Sequence, residues 1–205
     1  MPTRRTVMIV IAATALLVAP QYASGQSGAQ AVDFVKSTNE QLVAVANSAS
    51  SPEDQRRRVK EVIDSTVDIG EIAQFCLGRF WSIATPEQQK QYTDLFHELM
   101  VTKIADHLGE YQGAQVVTGF ARTSADTEIV ITTVKGPRTP ARRIDWVVGT
   151  ATGAPKIVDV LADGVSLRLT QSADFTTYLE RHTYNVDDLI HAMGQMISQS
   201  AHGRR

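Results

Sequence analysis

The chain has 205 residues, 43% of them apolar and 20% charged, with a net charge of −2. These are the proportions of an ordinary globular domain, and they exclude a disordered, collagen-like or polytopic membrane chain. Without the first 25 residues the balance is 18 basic against 22 acidic side chains. No basic stripe for phosphates is available, so no nucleic-acid partner is expected.

Met1–Arg5 is short and basic, Thr6–Ala19 is an apolar run of 14, and Pro20 breaks it. Ala23-Ser24-Gly25 then sets small residues ahead of Gln26, the pattern of a cleaved secretory signal peptide over 1–25. At 1.5 Å per residue the apolar run reaches about 21 Å, short of a hydrocarbon core of about 30 Å. The expected product is one exported, soluble domain over 26–205. Arg4-Arg5 matches a twin-arginine signal only weakly in its flanks, which favours general secretion. Export permits disulfides, but the single Cys76 cannot form one within the chain. Its place in Ile72–Phe75–Cys76–Phe80 makes it a small buried hydrophobe on a helix.

From Ala29 to about Leu108 the apolar period is helical. Start signals stand at Ser51-Pro52-Glu53-Asp54, at Asp68-Ile69-Gly70-Glu71 and at Thr85-Pro86-Glu87-Gln88. Val59, Val62, Ile63, Thr66 and Val67 form one stripe, and Tyr92, Leu95, Phe96, Leu99 and Met100 another. After Gly109 the period changes to two, predicting strands over Ala114–Arg122, Thr127–Lys135, Ala141–Val148 and Lys156–Leu161. Their short connections require antiparallel pairing, since a parallel crossover needs a long segment. A helical period returns from Thr170, and Ser198–Arg205 reads as a fraying polar tail. The fold class is α+β: N-terminal and C-terminal helices on one face of a four-stranded antiparallel sheet.

The chain carries no nucleophile elbow, P-loop or dinucleotide fingerprint, and no cofactor is expected. Asp94/His97 and Asp187/His191 each share a helical face, but two ligands without a third do not make a metal site. Asp145 alternates with Trp146 and is expected on the wetter face of its strand. Asp159, between Val158 and Val160, fits a buried, partnered carboxylate. What remains is apolar. Phe80, Trp81, Tyr92, Phe96, Leu99, Met100 and Ile104 on helices can face Ile129, Ile131, Ile144, Trp146 and Val148 on strands. Periodicity alone leaves open whether they fill a core or line a hollow.

Ala73–Gln88, which contains Leu77-Gly78-Arg79-Phe80-Trp81 and Ala84-Thr85-Pro86-Glu87-Gln88, precedes the Tyr92/Phe96 helix. Downstream stand Asp159–Leu167, with Gly164-Val165-Ser166-Leu167, then Thr170-Gln171 and Phe175. Together these segments resemble the MlaC family of periplasmic phospholipid-binding proteins, the toluene-tolerance type, and its hopanoid-associated HpnM branch. The resemblance covers nearly the whole chain after the signal peptide. It implies a periplasmic carrier holding acyl chains in an apolar pocket between sheet and helices, the headgroup outside. The implied partners are an outer-membrane lipoprotein–porin complex and an inner-membrane ABC transporter with an MCE-domain subunit. Carried over by position, Phe80, Trp81, Phe96, Met100, Ile131, Trp146, Val148 and Val165 would line that pocket. Tyr92, Leu99 and Ile144 from the facing set complete the expected lipid-binding residues.

The physics suits such a device. Two acyl chains carry roughly 30 methylenes at about 0.8 kcal/mol each, on the order of 24 kcal/mol to be kept from water. Smooth aliphatic walls can do this, and directed hydrogen bonds to tails cannot. Exchange needs an opening, for which Gly70, Gly78, Gly109 and Gly113 are the expected hinges. Two other classes compete: a dehydratase or isomerase using Asp159 or Asp145 as base, and an adaptor with a filled core.

Overall fold

Six α-helices and a five-stranded sheet make up what the computed structural model describes, residues 24–202 apart from 138 and 152. The signal peptide expected over 1–25 lies outside them except for its last two residues. Helix α1 spans Ser24–Ser48. Helix α2 (Pro52–Thr66) begins as its sequence dictates. Ser51 Oγ accepts from the Asp54 N–H at 3.1 Å, and Pro52 takes the first helical position. Asp68 caps α3 (Ile69–Leu77) by accepting from the Glu71 N–H at 2.9 Å.

Helix α4 (Pro86–Leu108) starts from a full capping box. The Gln88 N–H donates to Thr85 Oγ1 at 3.2 Å, and the Thr85 N–H donates to Gln88 Oε1 at 2.9 Å. Between α3 and α4 the chain turns at Gly78, whose φ of +57° costs glycine alone nothing. Of the other expected hinges, Gly113 also has a positive φ, while Gly70 lies inside α3 and Gly109 keeps helical dihedrals. After the sheet come α5 (Leu167–Arg181) and α6 (Val186–His202). The tail expected to fray from Ser198 continues as helix, because Ile197 is buried in the helical core and holds the last turns down.

The strands are β1 (Gln115–Ser124), β2 (Thr127–Lys135), β3 (Arg142–Gly149), β4 (Lys156–Ala162) and β5 (Val165–Ser166). They pair antiparallel in chain order, a simple meander. The first four follow the sequence reading to within two residues. The fifth corrects it: Asp163 and Gly164, both at positive φ, turn the chain so that Val165 pairs with Ala162 and Ser166 with Leu161. Two residues are too few to show a period of two.

Two bulges curl the sheet. In β1, Gly119 and Phe120 stand opposite Ile131 alone, and a Cβ on Gly119 would come within 3.1 Å of the Ile131 carbonyl oxygen. In β4, Val158 is the extra residue between the Val147 and Val148 pairings. The remaining edge of β4 is taken by the α2–α3 junction. Val67 bridges Ile157 in parallel, and the Asp68 N–H donates to the Ile157 oxygen at 3.0 Å.

Buried side chains form separate clusters. The largest joins α3, α4, α5 and α6, and in it Tyr92, Phe96 and Phe175 pack with ring centroids 5.9–6.3 Å apart. A second joins α1, α2 and α4 around Val59 and Ile63. A third seats Ala31 and Val35 of α1 on Val130 and Val148 of the sheet. On the opposite sheet face Ile129, Val147 and Val158 form a small fourth cluster.

Asp145 shares that opposite face and corrects the expectation of a wet position, being only 3% exposed. Arg143 Nε and a terminal guanidinium nitrogen reach its two oxygens at 2.7 Å each, so the arginine lies over the acid and neutralises it.

Leu179 is fully buried in the largest cluster. Leu179→Ala is expected to lower unfolding free energy by about 2–5 kcal/mol in denaturant titration; a loss below about 1 kcal/mol would mean that this cluster does not carry the fold. Cys76 is buried with Sγ 3.5 Å from the Arg168 carbonyl oxygen, and burial, with Asp159 adding to it, pushes the thiol up to about 12. The native state thus keeps a proton that the unfolded thiol releases near pH 8.5. That contribution is intact below the ordinary thiol value and is lost as pH climbs toward 12. The folded protein is therefore expected not to react with a charged aromatic disulfide at pH 8 until denaturant is added, with release followed by absorbance.

Candidate functional site

Beneath the curled sheet, side chains of sheet and helices do not meet everywhere. They leave a cavity of about 640 Å³, within the range of small-molecule sites. Helix α4 supplies one wall. Phe96, Leu99, Met100, Lys103, Ile104 and His107 recur at three- and four-residue spacing and so share a face. The opposite wall is the sheet, through Ile144 and Trp146 of β3 and Val160 and Ala162 of β4. Helix α2 contributes Val62, Ile63 and Thr66, and helix α1 contributes Thr38, Asn39, Leu42 and Val43.

Five of the expected residues meet at this cavity: Phe96, Leu99, Met100, Ile144 and Trp146. The other six do not line it, each for a physical reason. Tyr92 lies one turn before Phe96 on α4, wholly inside the helical core, and its hydroxyl donates to the Ala73 carbonyl at 3.1 Å. Phe80 stacks on Tyr184 with centroids 6.0 Å apart, and Trp81 packs against the same core from the connection beyond α3. Ile131 pairs with Asp145 and so points to the opposite sheet face. Val148 is covered by α1, and Val165, on the short β5, is 60% exposed.

The sequence pattern assigns α1 no part in this site, and it marks Val62, Ile63 and Thr66 of α2 only as part of an apolar stripe. A helix wall facing a hollow has the same periodicity as one facing a neighbour.

The wall is apolar because its polar groups are mostly spent inside the fold. Trp146 Nε1 donates to Thr132 Oγ1 at 3.1 Å, and that hydroxyl donates to the Ile144 carbonyl at 3.0 Å. The indole N–H is thereby satisfied and the ring is left to the cavity. Thr38 and Thr66 donate their hydroxyls back to Phe34 and Val62, four residues earlier. At the edge of the cavity Lys103 Nζ donates to Gln171 Oε1 at 3.2 Å, linking α4 to α5.

Asp159 also borders the cavity, but as a clamp. Oδ1 accepts from the Val160 and Arg168 N–H groups at 2.8 and 3.2 Å, and Oδ2 accepts from the Ser166 hydroxyl at 2.6 Å. With Arg168 Nε at 3.6 Å as well, this carboxylate fixes the β5–α5 corner. The acid–histidine pairs are separated in the same way. His97 Nε2 lies 2.7 Å from Asp64, Asp94 is held by Lys90, and Asp187 accepts from Gln88.

Residues 33–195 match the MlaC protein family. Among solved structures, the phospholipid-binding protein from Ralstonia solanacearum, in complex with a phospholipid, superposes with a TM-score of 0.72. It is 26% identical, and the alignment covers 84% of this chain and 99% of that one. The order of helices, meander and closing helices, the cavity they enclose and this match agree: the chain belongs to the MlaC family.

Proposed function

We propose that this protein is a periplasmic lipid carrier. It holds the acyl chains of a phospholipid in the cavity, with the headgroup outside. It moves that lipid between an outer-membrane lipoprotein–porin complex and an inner-membrane ABC transporter with an MCE-domain subunit. In this reading residues 1–25 direct export and are removed, and no catalytic step or cofactor is involved. The observation that carries it is the cavity itself, about 640 Å³ bounded by aliphatic and aromatic side chains from five helices and the sheet. The phospholipid held by the Ralstonia solanacearum protein supports the same cargo.

Energetics favour a wall of this kind. About 0.8 kcal/mol per methylene must be matched closely enough for the lipid to leave the bilayer, yet not so far exceeded that it cannot be returned. A surface without directed bonds to the tails meets both conditions. The residues that first suggested an enzyme have other occupations, since Asp145 is neutralised by Arg143 and Asp159 is held by three donors.

Solvent extraction of the purified protein followed by mass spectrometry is expected to yield a two-chain phospholipid near one per protein; a hopanoid, or no lipid, would overturn the cargo. Met100→Trp adds volume where the wall faces empty space, so the variant should fold and lose about half or more of its lipid load. Trp146→Asp sets a charge on the same wall and is expected to abolish loading. Circular dichroism distinguishes that loss from unfolding, and a folded variant carrying the normal load would place the lipid elsewhere.

A further inference from the structure

Five side chains able to carry charge border the cavity: Lys103, His107, Asp159, Arg168 and Asp174. Three of them are occupied. Arg168 lies 3.6 Å from Asp159 and 3.7 Å from Glu71, and His107 Nδ1 stands 3.1 Å from Glu110. Lys103 and Asp174 make no ion pair among the described residues, with each other or with any other group. The hydrogen bond that Lys103 does make is to a neutral acceptor, Gln171 Oε1 at 3.2 Å.

The fold sets these two charges at one place. Lys103 follows Phe96, Leu99 and Met100 on the cavity face of α4, and Asp174 follows Leu167, Thr170 and Gln171 on that of α5. The two helices meet where Phe96 packs on Phe175, centroids 6.3 Å apart, and the Lys103–Gln171 bond ties them again further along α4. Lys103 and Asp174 are both exposed while bordering the cavity. A cation and an anion therefore stand on facing helices where the hollow opens to water.

Acyl tails have no use for either charge, so what the pair can recognise is the part of a lipid left at the opening. A phosphodiester joined through two carbons to an ammonium offers one charge of each sign. Its phosphate is a stronger acceptor for Lys103 than the neutral amide oxygen it would replace. A headgroup ending in neutral glycerol has the same phosphate but nothing for Asp174, and it sets a net negative ligand beside that carboxylate. Juxtaposed like charges count against a ligand.

We propose that Lys103 and Asp174 form a headgroup subsite that selects zwitterionic over anionic phospholipids, Lys103 taking the phosphate and Asp174 the ammonium. This rests on the carrier reading above.

The test is competitive loading. Delipidated protein is incubated with vesicles of equal parts dioleoyl phosphatidylcholine and dioleoyl phosphatidylglycerol, then recovered and its bound lipid quantified by mass spectrometry. The wild type is expected to favour the choline lipid by about two- to fivefold, the worth of one exposed ion pair, and to lose the preference in high salt. Asp174→Asn should bring the ratio close to one. Lys103→Met keeps the aliphatic stem and removes the charge. In vesicles of the choline lipid with a minor share of dioleoylglycerol, it should lower uptake of the phospholipid relative to the glycerol lipid by about the same factor. Both positions are exposed, so both variants should melt like the wild type. Equal wild-type uptake of the two phospholipids, or a ratio that either substitution leaves unmoved, overturns the inference. If no lipid loads at all, the carrier reading fails and takes this inference with it, an outcome distinct from loading without preference.

Discussion

An interior space that stays open is the constraint on which everything else in this fold depends. Protein interiors close up when side chains are free to move into them, so a cavity of about 640 Å³ persists only if its walls are held from behind. The division of the core into separate clusters answers that need. The α3–α6 cluster, the α1–α2–α4 cluster and the α1–sheet contact each pack within themselves and flank the hollow, which Phe96 and Leu99 of the first, Ile63 and Leu108 of the second and Trp146 beside the third also border. Polar ties span the remaining gaps. Asp159 clamps β4 to the start of α5, Asp68 ties the α2–α3 junction to β4, and Lys156 Nζ reaches the Ser65 carbonyl at 2.7 Å.

Long helix α4 shows how this arrangement shapes a sequence. Phe96 and Leu99 belong at once to the helical core and to the cavity wall, while Met100 and Ile104 face the hollow and Val101, Ala105 and Leu108 pack toward α1 and α2. Such a helix turns apolar side chains toward several neighbours at once, and its pattern does not reveal which stripe is left without a partner.

This explains what was legible in the sequence and what was not. The helix starts at Ser51, Asp68 and Thr85 and the first four strands were readable because capping and alternation are local chemistry. The fifth strand was missed although its Asp163-Gly164 turn is a local signal, because two paired residues leave no alternation to notice. The cavity was legible only in part. Phe96, Met100 and Trp146 sit where pattern placed them, but Tyr92 and Phe80 carry the same apolar character one turn or one loop away and are packed solid. Asp145 escaped the reading because burial of an acid depends on Arg143 two residues earlier folding over it, a tertiary outcome that alternation does not encode.

The two sides of the meander are finished differently. Along β4 the backbone groups that face outward are met by β5 for one half and by the Val67–Asp68 junction for the other. At the far side β1 has β2 as its strand partner and no other among the described residues, and Val117 and Phe120 project there into solvent. An uninterrupted strand with such side chains would be a template for fibrillar association. The doubled position at Gly119 and Phe120 breaks the repeat midway, so an incoming chain could match only one half at a time. The kink that helps vault the sheet over its hollow also protects a concentrated protein from sticking to its own copies.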